Sequence, residues 1–219
     1  LKNQDDYKKI KEISIQKRLI IKKLIFGHNE NLLINIKDLV ISKNNFYVLF
    51  GNSGSGKSTF ADLISGFLEA KSSIYKIDGS TYYDKTIKIK DLGYCNQDGF
   101  VFSGSFKENI TLFEKKINKK FYNQALKIVE LNKKVHENLT KKKFKSFGKS
   151  ISGGQKQRLN IARMIYKNPD FVILDEATNS IDAKSEINII KNIKKWAYKN
   201  KKTVILITHN PNLKTISKN

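Results

Sequence analysis

The strongest hydrophobic pattern in the chain is a pair of short runs in which every position is apolar. FVIL fills positions 171–174 and VILI fills positions 204–207. Continuous apolar runs of this length are typical of parallel strands that are buried on both faces. Between them, positions 182–198 carry apolar residues at helical spacing. The segment therefore predicts a strand, a helix and a second strand, which is the repeating unit of a parallel sheet.

The same rules predict further strands and helices in the rest of the chain. Short apolar stretches bounded by Gly, Asn and Ser indicate strands, whereas apolar residues spaced by three and four positions indicate helices. Strands are expected at 32–41, 46–50, 74–79 and 91–97, and helices at 57–68 and 119–131.

The best helical pattern follows Ser152, which is a natural N-cap, and places Leu159, Ala162 and Ile165 on one stripe. Strands that alternate with helices predict an α/β fold with a mostly parallel central sheet, an antiparallel β edge and a helical subdomain. The expected divisions are a linker or first strand at 1–23, a core formed by 24–98 and 169–219, and a helical subdomain at 99–168.

Composition narrows the class of protein. The chain has 219 residues, enough for one large or two small domains with a sizeable core. Its apolar runs are far shorter than the roughly 20 residues that a membrane-spanning helix requires, and the start has no apolar segment of a signal peptide. The single cysteine, Cys95, excludes an internal disulfide and fits a reducing compartment. Because the chain begins at Leu1, we expect a domain of a longer polypeptide.

The formal net charge of +22 has two explanations. One is contact with nucleic acid or an anionic membrane surface. The other is the codon bias of an AT-rich genome, because the excess is nearly all lysine and Asn and Ile are abundant too. Only Arg18, Arg158 and Arg163 are arginines, whereas phosphate-binding surfaces usually use arginine as well. Codon bias is the explanation we favour.

The stretch GNSGSGKST between an apolar strand and an amphipathic helix predicts a phosphate-binding loop. Gly51, Gly56, Lys57 and Ser58 meet the pattern G-x-x-x-x-G-K-[ST]. Backbone N–H groups of such a loop and the positive end of the next helix bind anions. Lys57 can reach the β- and γ-phosphates, and the Ser58 hydroxyl can bind Mg²⁺. The nucleotide-binding residues are expected to be Gly51, Asn52, Ser53, Gly54, Ser55, Gly56, Lys57, Ser58 and Thr59.

Two adjacent acids after the run FVIL predict the rest of a hydrolytic site. Asp175 ends an apolar strand, at the edge of an open α/β sheet where ligands bind, and can hold Mg²⁺. Glu176 leaves the strand and can accept a proton from the attacking water. Two carboxylates with separate roles favour hydrolysis of the nucleotide over binding alone.

Four further stretches narrow the assignment. ISGGQKQR at 151–158 resembles the signature motif of the ATP-binding cassette (ABC) family. DEATNSID at 175–182 resembles its Walker B end and D-loop, and TVILITH at 203–209 resembles its switch strand. YCNQ at 94–97 resembles its Q-loop. All main ABC motifs occur in family order, over roughly residues 20–210.

The resemblance implies a P-loop NTPase fold with a RecA-like ATP-binding core, and ATP and Mg²⁺ as the bound species. In the family two such domains pair head to tail, and each ATP lies between the phosphate loop of one domain and the signature helix of the other. By resemblance, Ser152, Gly153, Gly154 and Gln155 contact the partner's ATP. Gln97 contacts the metal, together with Ser58 and Asp175. The implied catalytic residues are Glu176, His209, Gln97 and Lys57.

The family also places an aromatic residue against the adenine, ahead of the strand that leads to the phosphate loop. Phe26 is the best match by similarity. The family commonly has Tyr there, and His28 and Tyr7 are the other candidates. The alternative is that Phe26 belongs only to the hydrophobic core.

The resemblance favours the exporter or flippase branch. FVFSGSFKENI at 100–110 is similar to the exporter type, in which a membrane domain precedes the cassette. We therefore expect a membrane partner, fused at the N-terminal side, and a place at the cytoplasmic face of the cell (inner) membrane. Exporters carry a glutamate where this chain has Ser146. The chain ends at Asn219, soon after His209, so we expect either an incomplete sheet edge or a truncated protein.

Two other functions are compatible with these motifs. A soluble ABC ATPase that acts on ribosomes or DNA would use the positive charge. Such proteins carry two cassettes or a long coiled-coil insertion, and this sequence shows neither feature. A regulatory partner cassette without hydrolysis is disfavoured by intact Glu176, Gln97 and His209. The transported substrate, and whether the pair is a homodimer or a heterodimer, stay open.

Overall fold

The structure, a computed structural model, describes residues 12–28, 31–83, 86–131, 143–144 and 151–217. In chain order, the strands are β1 Glu12–Ile13, β2 Arg18–His28, β3 Asn31–Ser42, β4 Phe46–Phe50, β5 Ser72–Ile77, β6 Ser80–Tyr82, β7 Lys88–Ile89, β8 Leu92–Cys95, β9 Gly104–Ser105, β10 Lys143–Phe144, β11 Phe171–Asp175 and β12 Thr203–Thr208. The helices are α1 Lys57–Ser65, α2 Phe106–Thr111, α3 Lys119–Ile128, α4 Gly153–Lys167 and α5 Ala183–Lys199, followed by a 3₁₀ segment at Pro211–Ser217.

The chain divides into two compact units, which we describe separately. The first unit consists of Leu1–Lys43 and Asn52–Leu92, and the second of Asn44–Gly51 and Gly93–Asn219. The predicted division into a core and a helical subdomain stays a prediction. Within the described ranges, no helix is both long enough and apolar enough to span a bilayer.

The first unit is built on an antiparallel sheet with the strand order β3-β2-β5-β6. Leu19 and Ile21 of β2 are fully buried, and after a register shift between Ile21 and Lys23 the buried positions continue at Leu24 and Phe26. The irregularity thus keeps one face of the strand apolar along its whole length. This sheet is the antiparallel part that the sequence predicted.

Helix α1 ends earlier than the sequence predicted. Gly66 adopts a left-handed conformation with φ of 78°, and the N–H groups of Phe67 and Leu68 both donate to the Asp62 carbonyl. A left-handed glycine after the last turn is a common way to end a helix. The predicted end at Leu68 is therefore wrong by three residues.

The second unit contains the parallel sheet, with the strand order β4-β12-β11-β8. Strand β12 pairs in parallel with both β4 and β11, and every residue of β11 and β12 is buried. The prediction of two central parallel strands is confirmed. The register pairs Asp175 with Ile207 and Phe50 with Thr208, so the carboxyl ends of β4, β12 and β11 lie at one edge of the sheet.

Helices α2 and α3 of the second unit pack against α4. Ser152 caps α4 by accepting a hydrogen bond from the Gln155 N–H, as its position predicted. Leu159, Ala162 and Ile165, the predicted apolar stripe, are buried in the core of this unit. Because α4 contacts both α2 and α3, it connects the helices that follow β8 to one another. The predicted α/β fold is confirmed.

Candidate active site

Four residues from three predicted motifs lie at one edge of the parallel sheet of the second unit. Gly51 follows β4, Asp175 ends β11, Glu176 comes next, and His209 follows β12. Since β4, β12 and β11 are neighbours in a parallel arrangement, their carboxyl ends bring these four residues to the same edge. Ligands of open α/β sheets bind at this edge.

The glycine-rich loop, residues 52–56 of the first unit, is closed around one carbonyl group. The Asn52 carbonyl accepts hydrogen bonds from the Ser55 N–H at 3.3 Å, the Ser55 hydroxyl at 2.8 Å and the Lys57 ammonium at 2.6 Å. Gly54 and Gly56 both have a left-handed backbone, with φ of 76° and 85°. Glycine adopts that conformation without the cost that a side chain imposes.

The start of α1 offers an anion-binding end. Gly56 is the N-cap, and the first turn has no acidic residue that would oppose an anion. Lys57 is buried, whereas Ser58 is exposed beside it. A Cβ at Gly56 would lie 2.8 Å from the Ile34 Cδ1, so the position is also sterically tight. Backbone N–H groups, the helix dipole and a lysine are the components of a phosphate site.

Asp175 is held by a tyrosine from the neighbouring strand. Its carboxyl group is buried, with the residue 6% exposed, and Oδ2 accepts a hydrogen bond from the Tyr94 hydroxyl at 3.2 Å. Tyr94 lies on β8, next to β11 in the sheet. The bond orients the carboxylate at the end of its strand.

Glu176 turns sharply away from the strand. Its φ of 49° is left-handed, which is unusual for a residue with a long side chain, and its N–H donates to the Ile207 carbonyl at 3.1 Å. Oε1 lies 3.2 Å from His209 Nδ1, and Oε2 accepts a hydrogen bond from Asn179 Nδ2 at 2.7 Å. The His209 side chain is 52% exposed and that of Glu176 is 19% exposed. The structure thus brings two of the predicted catalytic residues together at the surface.

Gln97 is exposed in the turn after β8, three residues beyond Tyr94. The segment that follows is fixed by two residues that the sequence did not single out. Asn109 accepts a hydrogen bond from the Phe102 N–H and returns one to its carbonyl, while Arg163 donates to the Phe100 carbonyl. A buried Asn and a half-buried Arg in helices give no sequence signal of this role.

Cys95 lies two residues before Gln97 but has no catalytic chemistry of its own. Its side chain is buried, and this burial raises the pKa of the thiol to about 12. The thiol therefore stays protonated near neutral pH, and the thiolate is the nucleophilic form of cysteine.

The predicted signature residues form the beginning of α4. The Ser152 hydroxyl accepts from the Gln155 N–H and the Gln155 side chain accepts from the Ser152 N–H, both at 3.3 Å. An open groove of about 420 Å³ lies here, lined by Ser152–Gln155, Arg158 and Ser180–Asp182. A Cβ at Gly154 would lie 2.9 Å from the Ser180 carbonyl oxygen. Close backbone approach explains the need for glycine at that position.

Phe26, the predicted adenine-stacking residue, is 9% exposed and belongs to the hydrophobic core of the first unit. That burial agrees with the alternative that Phe26 is a core residue, and it leaves little ring surface for a base. The other candidates, the His28 side chain and Tyr7, lie outside the described residues, as does Ser146.

A buried glutamate near the site was missed by the sequence analysis. Glu186 in the first turn of α5 is 5% exposed, and its two oxygens accept from Thr178 Oγ1 at 2.7 Å and Asn210 Nδ2 at 2.6 Å. An available signal was overlooked, because Glu186 shares the helical spacing of the buried Ile189 and Ile190. An acid in the first turn is otherwise explained by the helix dipole.

The residues predicted to hold the metal have the chemistry that Mg²⁺ requires. A carboxylate from Asp175, a hydroxyl from Ser58 and an amide from Gln97 supply only oxygen ligands, which hard cations prefer. In the described part of the chain, no group of three or more His, Cys, Asp or Glu residues could hold a metal ion. Mg²⁺ usually binds through one or two protein groups together with substrate phosphates.

Comparisons with known proteins identify relatives of the chain. Residues 34–179 match the family model of ABC transporters. An uncharacterised ABC transporter ATP-binding protein, YwjA of Bacillus subtilis, is 35% identical over 193 residues, which cover 86% of this chain and 33% of that protein. A probable ABC transporter ATP-binding/permease protein of Haemophilus influenzae is 28% identical over 95% of this chain and 38% of its own length.

A solved structure has the same fold. It is a bacterial Atm1-family ABC exporter with ATP bound, which superposes with a TM-score of 0.77 at 23% identity, over 94% of this chain and 37% of the other. The chain therefore spans about a third of the length of the relatives that it matches.

Proposed function

The chain belongs to the ABC transporter family, and on that premise we propose that it is the ATP-binding and ATP-hydrolysing motor domain of an exporter or flippase. The observation that carries the proposal is the pair formed by Glu176 and His209 beside Asp175 at the edge of the parallel sheet. A domain that only bound nucleotide would need Asp175 for the metal, but it would not need the additional contact between a carboxylate and an imidazole.

We assign the triphosphate of ATP to the loop at residues 51–59. Two glycines with left-handed backbones, a helix start without acidic residues and the Lys57 ammonium support this assignment. The Lys57 ammonium donates to the Asn52 carbonyl and the Ser55 hydroxyl. Phosphate oxygens of bound ATP can replace these two acceptors. Charged hydrogen bonds to phosphate are stronger than those to a neutral carbonyl.

In this proposal Glu176 is the general base and His209 contacts the terminal phosphate. Glu176 accepts the proton of the attacking water at one carboxylate oxygen, and Asn179 keeps the other oxygen in place. Positioned proton transfer of this kind contributes about 10²–10⁴ in rate. Asp175, Ser58 and Gln97 would hold Mg²⁺, which supplies charge neutralisation of the phosphates when it is bound.

We further propose that the working form contains two such domains and a membrane domain. The groove at the start of α4, with Ser152, Gly153, Gly154 and Gln155, would face the ATP of the second domain. A helix N-terminus with a serine N-cap is suited to bind a terminal phosphate. Relatives that carry an ATP-binding and a permease part in one chain support an N-terminal membrane domain and a place at the cytoplasmic face of the membrane. Such relatives do not favour a soluble role on ribosomes or DNA.

Nucleotide binding is the first part of the test, made on the purified full-length protein. We expect Mg²⁺-dependent binding of ATP, which Lys57→Ala abolishes and which the exposed-site control Lys37→Ala leaves unchanged. Equal binding by Lys57→Ala and the parent would contradict the assignment of the loop.

Hydrolysis is the second part. Glu176→Gln should keep ATP binding, lower the rate of hydrolysis by about 10²-fold or more, and accumulate ATP-bound dimers. An amide occupies the same volume but cannot accept the proton. Hydrolysis by Glu176→Gln at the parent rate would refute its role as the base.

A further inference from the structure

Glu186 connects the chain segments that carry the two residues in contact at the site. Thr178, which binds one Glu186 oxygen at 2.7 Å, lies two residues after Glu176. Asn210, which binds the other oxygen at 2.6 Å, directly follows His209. One side chain of α5 therefore touches the segment after β11 and the segment after β12 at the same time.

Both connected segments are themselves ordered by hydrogen bonds. Two further hydrogen bonds hold Asn210 in place. Its N–H donates to Thr208 Oγ1, and its Oδ1 accepts from the Asn212 N–H, both at 3.0 Å. The Thr178 carbonyl accepts from the Ile181 N–H at 2.9 Å. The position of Glu186 therefore helps to fix the positions of both segments, the one after β11 and the one after β12.

A buried carboxylate at this position is costly unless its hydrogen bonds serve a purpose. Glu186 is 5% exposed and shares its helical stripe with Ile189, Ile190 and Ile193. An apolar side chain would pack at such a position without the desolvation that a carboxylate suffers. The two Glu186 oxygens accept hydrogen bonds from two different segments, and an apolar residue could not connect these segments in this way.

We propose that Glu186 is a positioning residue for hydrolysis, which holds Glu176 and His209 at the distance they need. This inference rests on the proposed function, because it assigns Glu176 and His209 to the same reaction. Glu186 acts through Thr178 and Asn210 and does not itself touch ATP. An error of about 1 Å in the position of reacting groups can cost 10²-fold in rate, so a residue of this kind is important without being catalytic.

The first test replaces the carboxylate by a side chain of similar length without hydrogen bonds. For Glu186→Met, we expect kcat for ATP hydrolysis to fall by about tenfold or more, with KM for ATP changed by less than about twofold. Glu186→Gln should restore most of kcat. Its amide oxygen can accept from Asn210, and its NH₂ can donate to the Thr178 hydroxyl, which is both donor and acceptor.

A matched control separates positioning from loss of stability. Lys202, at the opposite end of β12, is 6% exposed and donates to the Asn168 carbonyl and to Asp170 Oδ1. Lys202→Met also removes a buried charge with two hydrogen bonds. We expect it to lower the melting temperature while kcat stays within about twofold of the parent. A fall of kcat in Lys202→Met as large as that in Glu186→Met would overturn the positioning role.

A spectroscopic readout tests the geometry without hydrolysis. The ring ¹⁵N chemical shifts of His209 report its tautomer and its hydrogen bonds. We expect them to change in Glu186→Met and to remain unchanged in Lys202→Met and Glu186→Gln. If the parent protein did not hydrolyse ATP, the proposed function would fail, whereas the His209 signals would still decide whether Glu186 positions this residue.

Single-arm variants decide the matter should Glu186→Met not fold. Thr178→Val and Asn210→Leu each remove one of the two hydrogen bonds to Glu186 and leave the other, and Asn210→Leu also removes the acceptor of the Asn212 N–H. Each should lower kcat, and the double variant should lower it by less than the product of the two effects, because both act through one carboxylate. Parent-like kcat in both single variants would overturn the proposal.

Discussion

Glu176 and His209 meet across the ends of two neighbouring parallel strands, with 3.2 Å between the glutamate Oε1 and the imidazole Nδ1. The contact depends on the left-handed backbone of Glu176, which turns its side chain out of the line of β11. Asn179 holds the second carboxylate oxygen at 2.7 Å. The carboxylate is therefore oriented from both sides, as the proposed role of general base requires.

The first prediction concerns the interdependence of these two residues. If they act in one step, the losses from removing each are not independent. His209→Ala should lower kcat by about 10²-fold, and adding it to Glu176→Gln should cause little further loss. Single-turnover hydrolysis rates of the parent, the two single variants and the double variant measure how far the two effects depend on each other. Fully multiplicative effects would show that the contact has no role in the reaction.

The second prediction concerns the Tyr94 hydroxyl, which donates to Asp175 Oδ2 at 3.2 Å. Tyr94→Phe keeps the ring and removes only this donor. Partners that orient a metal ligand typically contribute about 10–100-fold to metal affinity or activity. We expect a higher Mg²⁺ concentration for half-maximal ATP hydrolysis, while the free energy of unfolding falls by only about 1 kcal/mol.

A tyrosine outside the site provides the control for that variant. Tyr198 on α5 is 49% exposed, and its ring contacts the Lys194 ammonium. Tyr198→Phe should leave the Mg²⁺ dependence unchanged. An unaltered Mg²⁺ dependence in Tyr94→Phe would mean that Asp175 is oriented without the tyrosine.

The sequence predicted those features that are encoded locally. Continuous apolar runs gave the two central strands, and Ser152 marked the start of α4 because a side-chain cap is a local interaction. The motifs placed Asp175, Glu176 and His209 at strand ends, and parallel pairing alone then implies that they share an edge.

The features that escaped prediction depend on contacts between distant segments. Tyr94 and Asp175 are 81 positions apart, and Asn109 and Arg163 are 54 apart. No periodicity links such pairs, because the order of strands in the sheet and the packing of helices decide which side chains meet. The role of Phe26 stays a prediction, since similarity suggests adenine stacking at a position that the structure buries.

The third prediction compares two glycines with nearly the same backbone. Gly54 and Gly66 have φ of 76° and 78°, so an alanine at either position carries a similar conformational cost of about 1–2 kcal/mol. A Cβ at Gly54 meets nothing within 4 Å, whereas at Gly66 it would lie 2.7 Å from the Ile87 carbonyl oxygen. Gly66→Ala should therefore destabilise the protein by about 1–3 kcal/mol more than Gly54→Ala. Urea unfolding without nucleotide measures the difference, and equal losses would exclude the steric explanation.

The last prediction concerns Asp78, a carboxylate that closes the turn before β2. Its oxygens accept hydrogen bonds from the backbone N–H groups of Gln16, Lys17 and Arg18 at 2.6–2.9 Å. Burial raises the pKa of Asp78, but these hydrogen bonds and the charge of Lys17 outweigh it, so the pKa is lowered overall. A carboxyl group with a lowered pKa in the folded state stabilises the protein above its ordinary pKa of about 4, and this contribution is lost as the pH falls further.

Asp78→Asn should therefore be less stable than the parent at pH 7, and the difference should shrink as the pH falls below about 4. Asp78 has a φ of 50°, which asparagine also tolerates, so backbone strain does not confuse the comparison. Asp38→Asn is the control, because Asp38 has a φ of 56° and, among the described residues, only an exposed ion pair with Lys22, which contributes little. Urea unfolding of all three proteins between pH 7 and about pH 3 measures the effect. A difference between Asp78→Asn and the parent that did not depend on pH would show that ionisation of Asp78 does not stabilise the turn.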